Sequence, residues 1–278
     1  MVTAQDKAFY EKNGYAVIRG LFSPEEVAAY REHFMALRAE GARPGDMVAQ
    51  TAQSGDPLKK FPRMIHMHRW DETSLRWLLD RRLSECLSAF LKTEPLAVQT
   101  MLYFKPAGAR GQALHQDNFY LKAQPGTCMA AWLALDPCDE ENGCMRVVPG
   151  SHEWPILCTT EADTSASFTD VTVPLPDGME PVPVVMDAGD VLFFNGSLVH
   201  GSYPNTSNDR FRRSLIGHYI EDRAERVTEF DQPVLRMDGT AFTMDGVEDG
   251  GPCGVWVDRD GRQEVEVTSR QLVAAGHE

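Results

Sequence analysis

The chain is poor in positive charge: 27 Lys and Arg face 41 Asp and Glu over 278 residues, a net charge of −14. Surfaces that bind nucleic acid or anionic lipid need clustered cations, so this balance speaks against both partners. It also disfavours polyanionic ligands unless a local basic pocket exists. Long apolar runs are missing too. None approaches the ~20 residues of a membrane span. The first ten residues are polar and helix-like, without the apolar core of a secretory leader. The six cysteines (Cys86, Cys128, Cys138, Cys144, Cys158 and Cys253) include no Cys-x-x-Cys pair, which argues against a zinc ribbon. Their scatter is the one expected of reduced thiols in a cytoplasmic protein. There is no internal repeat and no low-complexity segment.

What is present is the composition of a globular protein, 42% hydrophobic and 24% charged, with enough apolar residues for a sizeable core. Residues 1–92 read as mainly helical with one early strand at Tyr15–Arg19. Ser23-Pro24-Glu25-Glu26 is a helix start, with Ser23 as cap, Pro24 at the first position and Glu26 completing a capping box. That helix is predicted to run from Pro24 to about Ala39, followed by a loop over 42–60. A second helix is predicted over about Glu72–Leu91, where leucines and Phe90 recur at helical spacing.

After Pro95 the pattern changes to short strands. The candidates are Ala97–Phe104, His115–Leu121, Met129–Asp136, Cys144–Val148, Val182–Met186, Asp190–Phe194 and Arg213–Ile220. Turn signals such as Asn142-Gly143, Pro149-Gly150 and Asn195-Gly196 separate them. Many short strands so punctuated imply an all-β sandwich or barrel, with the preceding helices packed on its outer face. The whole chain, 1–278, is read as one domain: helical support to about residue 92, a β core over about 95–222, and an extension over about 223–278. Within that extension, residues 231–262 are rich in Gly and Asp. They fit either an irregular surface tail, with Trp256 in a short strand, or a loop covering the mouth of a site.

His115-Gln116-Asp117 lies on a predicted strand, where alternate side chains share a face, so His115 and Asp117 project together. His200 follows an apolar strand and is the best third ligand. Two histidines and one carboxylate on one side of an iron ion form the facial triad of non-haem Fe(II) oxygenases, with positions left for a bidentate 2-oxo acid and for O2. His-x-Asp alone is a weak signal. The ordered set His-x-Asp, His, Arg is far more specific. Arg212, on the strand after His200, can bind the distal carboxylate of 2-oxoglutarate through paired charge-assisted hydrogen bonds. Arg210 and Arg213 compete for that role.

At these residues the chain resembles the phytanoyl-CoA dioxygenase family, over about Tyr10 to Ile220. The segments that carry the resemblance are Leu114-His115-Gln116-Asp117, Ala131-Trp132, Glu141-Asn142-Gly143-Cys144, Val148-Pro149-Gly150-Ser151-His152, and His200-Gly201-Ser202 with Phe211-Arg212-Arg213-Ser214. The resemblance implies a mainly β fold, a double-stranded β-helix (jelly roll) with N-terminal helices packed on one sheet. It implies Fe(II) at His115, Asp117 and His200, and 2-oxoglutarate at Arg212 with support from Ser202. Trp132 and Met101 would line the same pocket, with Gln99 a weaker candidate. His152 falls in a structural turn of the pattern and is left out of the site.

The implied reaction consumes 2-oxoglutarate and O2, releases succinate and CO2, and hydroxylates a C–H of a small organic metabolite. Asp117 favours hydroxylation over halogenation, which needs a small residue there. Members acting on acyl-CoA must bind a polyphosphate. No concentrated basic patch is present here, Lys59-Lys60 and Arg63 being the nearest approach. The stretch from His115 to Lys122 also departs from the ectoine-hydroxylating members. Candidate walls for the substrate are Arg63, His66 and His68 before the second helix, with Asn118 and Tyr120 beside the iron strand. Two other readings stay open: a jelly-roll binding protein that holds a metal or small molecule without turnover, and a zinc hydrolase or isomerase on the same ligands.

Overall fold

The computed structural model describes residues 2–49, 51–52, 54–247 and 251–271. Helix α1 (Ala4–Asn13) opens on a Thr3 capping box and stops at Gly14, whose φ of 81° suits glycine. A Cβ at Gly14 would sit 2.5 Å from the His152 ring, so this glycine also allows close packing. Strand β1 (Tyr15–Ile18) follows. Helix α2 (Pro24–Ala39) starts at the expected Ser23–Glu26 capping box. After β2 (Asp46–Met47) and β3 (Arg63–Ile65), the stretch expected as one helix is two, α3 (Glu72–Leu78) and α4 (Arg81–Leu91). The cause is Asp80: its carboxylate accepts from the Arg82 amide at 2.8 Å and caps α4, breaking the run.

Strand β4 (Pro95–Lys105) opens the β core. Behind it come β5 (Gln112–His115), the one-turn helix α5 (Asn118–Leu121), β6 (Cys128–Ala134) and β7 (Met145–Val147). The pair β8 (Thr160–Glu161) and β9 (Val171–Thr172) precedes β10 (Val182–Val184), β11 (Val191–Asn195), β12 (His200–Ser202) and β13 (Arg212–Glu221). Beyond the core lie β14 (Arg226–Val227), β15 (Val234–Arg236), β16 (Ala241–Phe242), β17 (Asp245–Gly246) and the hairpin β18 (Pro252–Arg259) and β19 (Arg262–Gln271).

The main sheet runs β1-β11-β6-β13-β4-β15-β16, with β3 on β4 and β2 on β3; the second runs β10-β7-β12-β5. The two face each other as a double-stranded β-helix. Strand β6 shows why the order works. Met129, Ala131 and Leu133 pack with Phe34, Leu83 and Leu87 of the helices. Ala130, Trp132 and Ala134 pack with Met145, Val147 and Val184 of the second sheet. Both faces of β6 are buried, so it reads as a continuous apolar run rather than an alternation.

Two other expectations change. Cys158 and Cys253 form a disulfide, not a pair of reduced thiols; the other four cysteines are free and buried. The bond ties β18 to the segment after β7. There the Trp154 and Trp256 rings meet edge to face at 5.0 Å, and Trp256 Nε1 donates to the Pro174 carbonyl. Among the described residues of 231–262, β15, β16, β17 and β18 take the place of an irregular tail. No helix among the described residues is long and apolar enough to cross a membrane.

Candidate active site

Inward-facing residues near one end of the β-helix turn polar, and this end holds the site. On β13, Arg212, Ser214, Ile216 and His218 alternate toward the second sheet while Leu215 and Tyr219 join the helix-side core. On β4 the matching inward set is Gln99, Met101, Tyr103 and Lys105, with Leu102 and Phe104 on the helix side.

His115 closes β5, and the strand ends there instead of running to Leu121. Asp117 has helical angles (φ −63°, ψ −34°) at the start of α5. It is this turn, not strand alternation, that brings His115 and Asp117 together. Gln116 fastens the turn: its amide nitrogen donates to the Ser197 and Pro155 carbonyls at 2.8 and 3.2 Å, and its oxygen accepts from the Leu157 amide. His200 is the cross-strand partner of His115 on β12, with ring centroids 4.1 Å apart. Asp117 Oδ1 lies 3.4 Å from His115 Nε2 and 3.5 Å from His200 Nε2. All three side chains are buried, and their ligand atoms fall within 4.8 Å of one another.

The donor set fits a metal. His115 Nδ1 faces the Ala113 carbonyl at 3.0 Å and His200 Nδ1 the Leu198 carbonyl at 2.9 Å. Both Nδ1 atoms therefore carry the proton, and both Nε2 lone pairs lie against a carboxylate oxygen, that of His115 also accepting from Gln112 Nε2 at 3.1 Å. Such a convergence of lone pairs is unfavourable without a cation between them. Burial, then the neighbouring His115, pushes the His200 imidazolium down to about 4, which keeps the ring neutral. Burial raises the Asp117 carboxyl, but the surrounding imidazoles, His200 and His218 foremost, outweigh it and hold the carboxyl well below its ordinary range.

His218 was not legible as a site residue. Its Nε2 donates to Asp117 Oδ2 at 3.1 Å, fixing the carboxylate oxygen turned away from the two histidines. Lys105 is the second omission. Its buried ammonium nitrogen contacts Ser202 Oγ at 2.7 Å and the Tyr203 carbonyl at 2.6 Å. Burial, then the Arg212 charge, holds its pKa far below that of a surface lysine. The available signal was strand alternation, counted from Arg212 to His218 and from Met101 to Lys105.

Around the triad a small cavity is bordered by Met101, Tyr103, Trp132, Ser202, Arg212 and His218. Arg212 is 2% exposed, its guanidinium 5.2 Å from the Trp132 ring. Nε donates to the Gly143 carbonyl and Nη1 to Ser214 Oγ. Its two competitors are already engaged, Arg210 with Asp139 and Glu141, Arg213 with Asp136. Arg212 has no carboxylate partner among the described residues. Gln99 is not part of this cavity; its amide donates to Asp231 Oδ1 at 2.8 Å.

A larger cavity of about 260 Å³ opens beside the triad, with Arg63, Tyr103, Tyr120, Phe168, Phe230 and Asp231 among its walls. Of the expected substrate contacts, Arg63 and Tyr120 lie there. Asn118 does not: its side chain caps α5, accepting from the Ala123 amide at 2.9 Å. His66 and His68 stand behind the wall, bonded to Asp231 and Thr100.

Comparison with known proteins agrees with this geometry. The family model described as phytanoyl-CoA dioxygenase (PhyH) matches residues 10–214. The chain belongs to the phytanoyl-CoA dioxygenase family. The peroxisomal phytanoyl-CoA dioxygenase of Rattus norvegicus is 27% identical over 233 residues, 79% of this chain and 68% of that one. Phytanoyl-CoA dioxygenase 1 of Oryza sativa subsp. japonica is 26% identical over 252 residues, 79% of this chain and 89% of that one. The solved structure of the epimerase SnoN with Fe3+, alpha ketoglutarate and nogalamycin RO superimposes with a TM-score of 0.64 at 24% identity, covering 80% and 84% of the two chains. That likeness concerns the fold. As a member of the family, the chain is a 2-oxoglutarate-dependent dioxygenase with Fe(II) and 2-oxoglutarate as its metal and cosubstrate.

Proposed function

We propose that this phytanoyl-CoA dioxygenase family member hydroxylates a C–H bond of a small organic metabolite, with His115, Asp117 and His200 holding Fe(II) and Arg212 holding 2-oxoglutarate. The observation that carries the reading is the pairing of the two sites. Two Nε2 lone pairs and a carboxylate oxygen converge, and Arg212, buried and without an acid partner among the described residues, lies across the same small cavity. When bound, the iron and 2-oxoglutarate supply the oxidising power, with succinate and CO2 as by-products.

The remaining work belongs to the chain. The Ala113 and Leu198 carbonyls fix the imidazole tautomers, and His218 holds the outer oxygen of Asp117. Arg212, with Ser202 and Lys105 beside it, offers charge and hydrogen bonds to the distal carboxylate of 2-oxoglutarate. Trp132 and Met101 flank the space between. The larger cavity positions the substrate and excludes water. Within the active-site reading, Gln99 passes from a cosubstrate contact to a support of the substrate wall.

The expected assay result is 2-oxoglutarate-dependent O2 uptake with succinate formation, abolished by iron chelation and by Asp117→Ala. Normal iron binding and succinate formation in Asp117→Ala would overturn the assignment.

A further inference from the structure

Strand alternation places Arg63 at the larger cavity. Met64 pairs with Leu102 of β4 and packs into the helix-side core, so Arg63 and Ile65 face the other way, and both border the cavity. The guanidinium carbon of Arg63 lies 5.4 Å from the Phe168 ring centroid and 6.0 Å from that of Tyr103, and the two rings meet at 6.1 Å. The backbone around Phe168 is tied down. Its carbonyl accepts from Thr51 Oγ1 at 2.9 Å, and the Ser167 carbonyl accepts from Arg110 Nη1 at 2.9 Å.

This cation has no anion. Arginine keeps its proton in a protein, so Arg63 is charged. Its Nε is buried without a hydrogen-bond partner, and no carboxylate among the described residues pairs with it. Arg110 makes the contrast. It borders the adjoining crevice with Arg63 and is spent on Asp56, Thr51 and the Thr164 and Ser167 carbonyls. Aromatic faces stabilise a guanidinium, but they leave its in-plane donors unused. A desolvated donor without an acceptor costs free energy that a ligand's acceptor recovers.

The rest of the wall sets the kind of anion. Lys122, Asp170 and Asp231 also border the cavity. A phosphate dianion would meet both acids, whereas a carboxylate brings one charge and two oxygens matched to paired guanidinium N–H groups. Arg212 serves the small cavity, whose walls do not include Arg63. We propose that Arg63 is the specificity-determining residue for the substrate, an organic monocarboxylate with an apolar body. The proposal rests on the reading of the larger cavity as the substrate site. The carboxylate pairs with Arg63 beside Tyr103 and Phe168, and the body extends toward His115 and Asp117, which border the same cavity. The span from the anchored carboxylate to the iron ligands then selects the C–H that is presented.

The test uses the full chain loaded with Mn(II) and 2-oxoglutarate, and the matched probes 4-phenylbutyrate and 4-phenylbutyramide. Affinity is read by calorimetric titration, and position by the relaxation that Mn(II) causes in the probe protons. Wild type is expected to bind the carboxylate about tenfold more tightly than the amide, the scale of a hydrogen bond to a charged group, with its protons relaxed by the metal. Arg63→Met should abolish the preference by weakening the carboxylate alone, and Arg63→Lys should keep part of it. The 2-oxoglutarate affinity should stay at the wild-type value in both variants, with folding checked by thermal melting. Wild type that binds neither probe or both equally, or Arg63→Met that keeps the preference, overturns the proposal. A selectively bound carboxylate that Mn(II) does not relax overturns it as well, because the anion site then lies away from the metal. Loss of 2-oxoglutarate affinity in Arg63→Met would assign the arginine to the cosubstrate instead. Absence of 2-oxoglutarate turnover in a wild-type protein that binds the carboxylate selectively beside the metal would sink the oxygenase reading while leaving Arg63 as the anion anchor.

Discussion

Replacing Arg212 with Met keeps the length of the side chain and removes its charge. Arg212 is fully enclosed, its Nε and Nη1 are held by Gly143 and Ser214, and nothing among the described residues accepts from Nη2. That nitrogen is available to a carboxylate in the small cavity. Truncating one side of a buried, hydrogen-bonded charge pair costs about 2–5 kcal/mol, or roughly 30-fold to several thousandfold in affinity at about 1.4 kcal/mol per tenfold. The structure argues for the lower end. Lys105 stays in place behind Ser202, and part of what holds its proton affinity down is the Arg212 charge itself. Removing Arg212 relieves that repulsion, so Lys105 carries its charge more readily and partly replaces the lost cation. The expectation is a loss of about 2 kcal/mol, or roughly 30-fold, in 2-oxoglutarate affinity.

The assay is a calorimetric titration of the Mn(II)-loaded protein with 2-oxoglutarate, with melting curves to confirm folding. Arg212→Lys should recover only part of the loss, because a point charge lacks the paired donors of the guanidinium. Arg210→Met and Arg213→Met should change the affinity little, since both arginines are spent on carboxylates. An unchanged affinity in Arg212→Met, with damage in Arg210→Met or Arg213→Met, would refute the reasoning and move the anchor to the neighbour.

Three further outcomes are expected. Ala at His115, Asp117 or His200 should remove most Fe(II) affinity and leave the thermal unfolding of the apoprotein cooperative; retention of wild-type iron binding in any of the three would count against the triad. His218→Leu should weaken Fe(II) binding about 10- to 100-fold by releasing the outer oxygen of Asp117, read by metal titration, and an unchanged constant would make His218 a packing residue only. Burial, then the His66 charge, pushes the His68 imidazole from its ordinary 6.5 down to about 3, so the unfolded chain binds a proton there that the folded chain does not. Stability is therefore present above about pH 6.5 and falls as the pH drops toward 3, by about 2 kcal/mol at pH 5. Denaturant melts of wild type and His68→Gln across that range should converge at low pH, and parallel curves would contradict the account.

The order of elements was legible because two periodicities dominate the chain. The Ser23–Glu26 capping box and the leucines at helical spacing marked helices, and turn signals marked the strands. The break at Asp80 escaped because one capping carboxylate overrides an apolar pattern that runs straight through it. The convergence of His115, Asp117 and His200 follows from a turn rather than from the strand alternation that the sequence suggests. His-x-Asp works here through a turn at the end of β5, fastened by Gln116, and a strand continuing past Asp117 would have placed Tyr120 elsewhere. Lys105, His218 and the Cys158–Cys253 bond escaped for a common reason. Each depends on a contact across many residues: strand alternation marks Lys105 and His218 as facing inward, but not what they meet there, and nothing local marks the disulfide. His66 and His68 illustrate the converse: imidazoles in an apolar stretch suggested a pocket wall, and they proved to brace the wall from behind, His66 through Asp231 and His68 through Thr100.

The two halves of the site differ in where their residues come from, and this bears on how far function can be carried from relatives. The triad, Arg212, Ser202, Trp132 and Met101 all lie on core strands or the turn after β5, inside residues 10–214. Their mutual distances are set by the register of antiparallel strands, which cannot shift by one residue without turning every side chain to the other face. The larger cavity, the proposed substrate site, is assembled differently. Phe168 comes from a loop, Arg63 from a short strand at the margin of the main sheet, and Thr228 and Phe230 from a turn beyond the matched region. Such segments tolerate substitution and changes of length without disturbing the metal site. On the function proposed above, the chemistry goes with the β core, while the substrate would be selected by segments free to diverge from it. A CoA ester, as in the names of the peroxisomal relatives, needs a cluster of cations for its phosphates, and this cavity offsets Arg63 and Lys122 with Asp170 and Asp231 among aromatic rings. On the function proposed above, that near-even balance of charge suits a compact, largely apolar metabolite better than a polyphosphate.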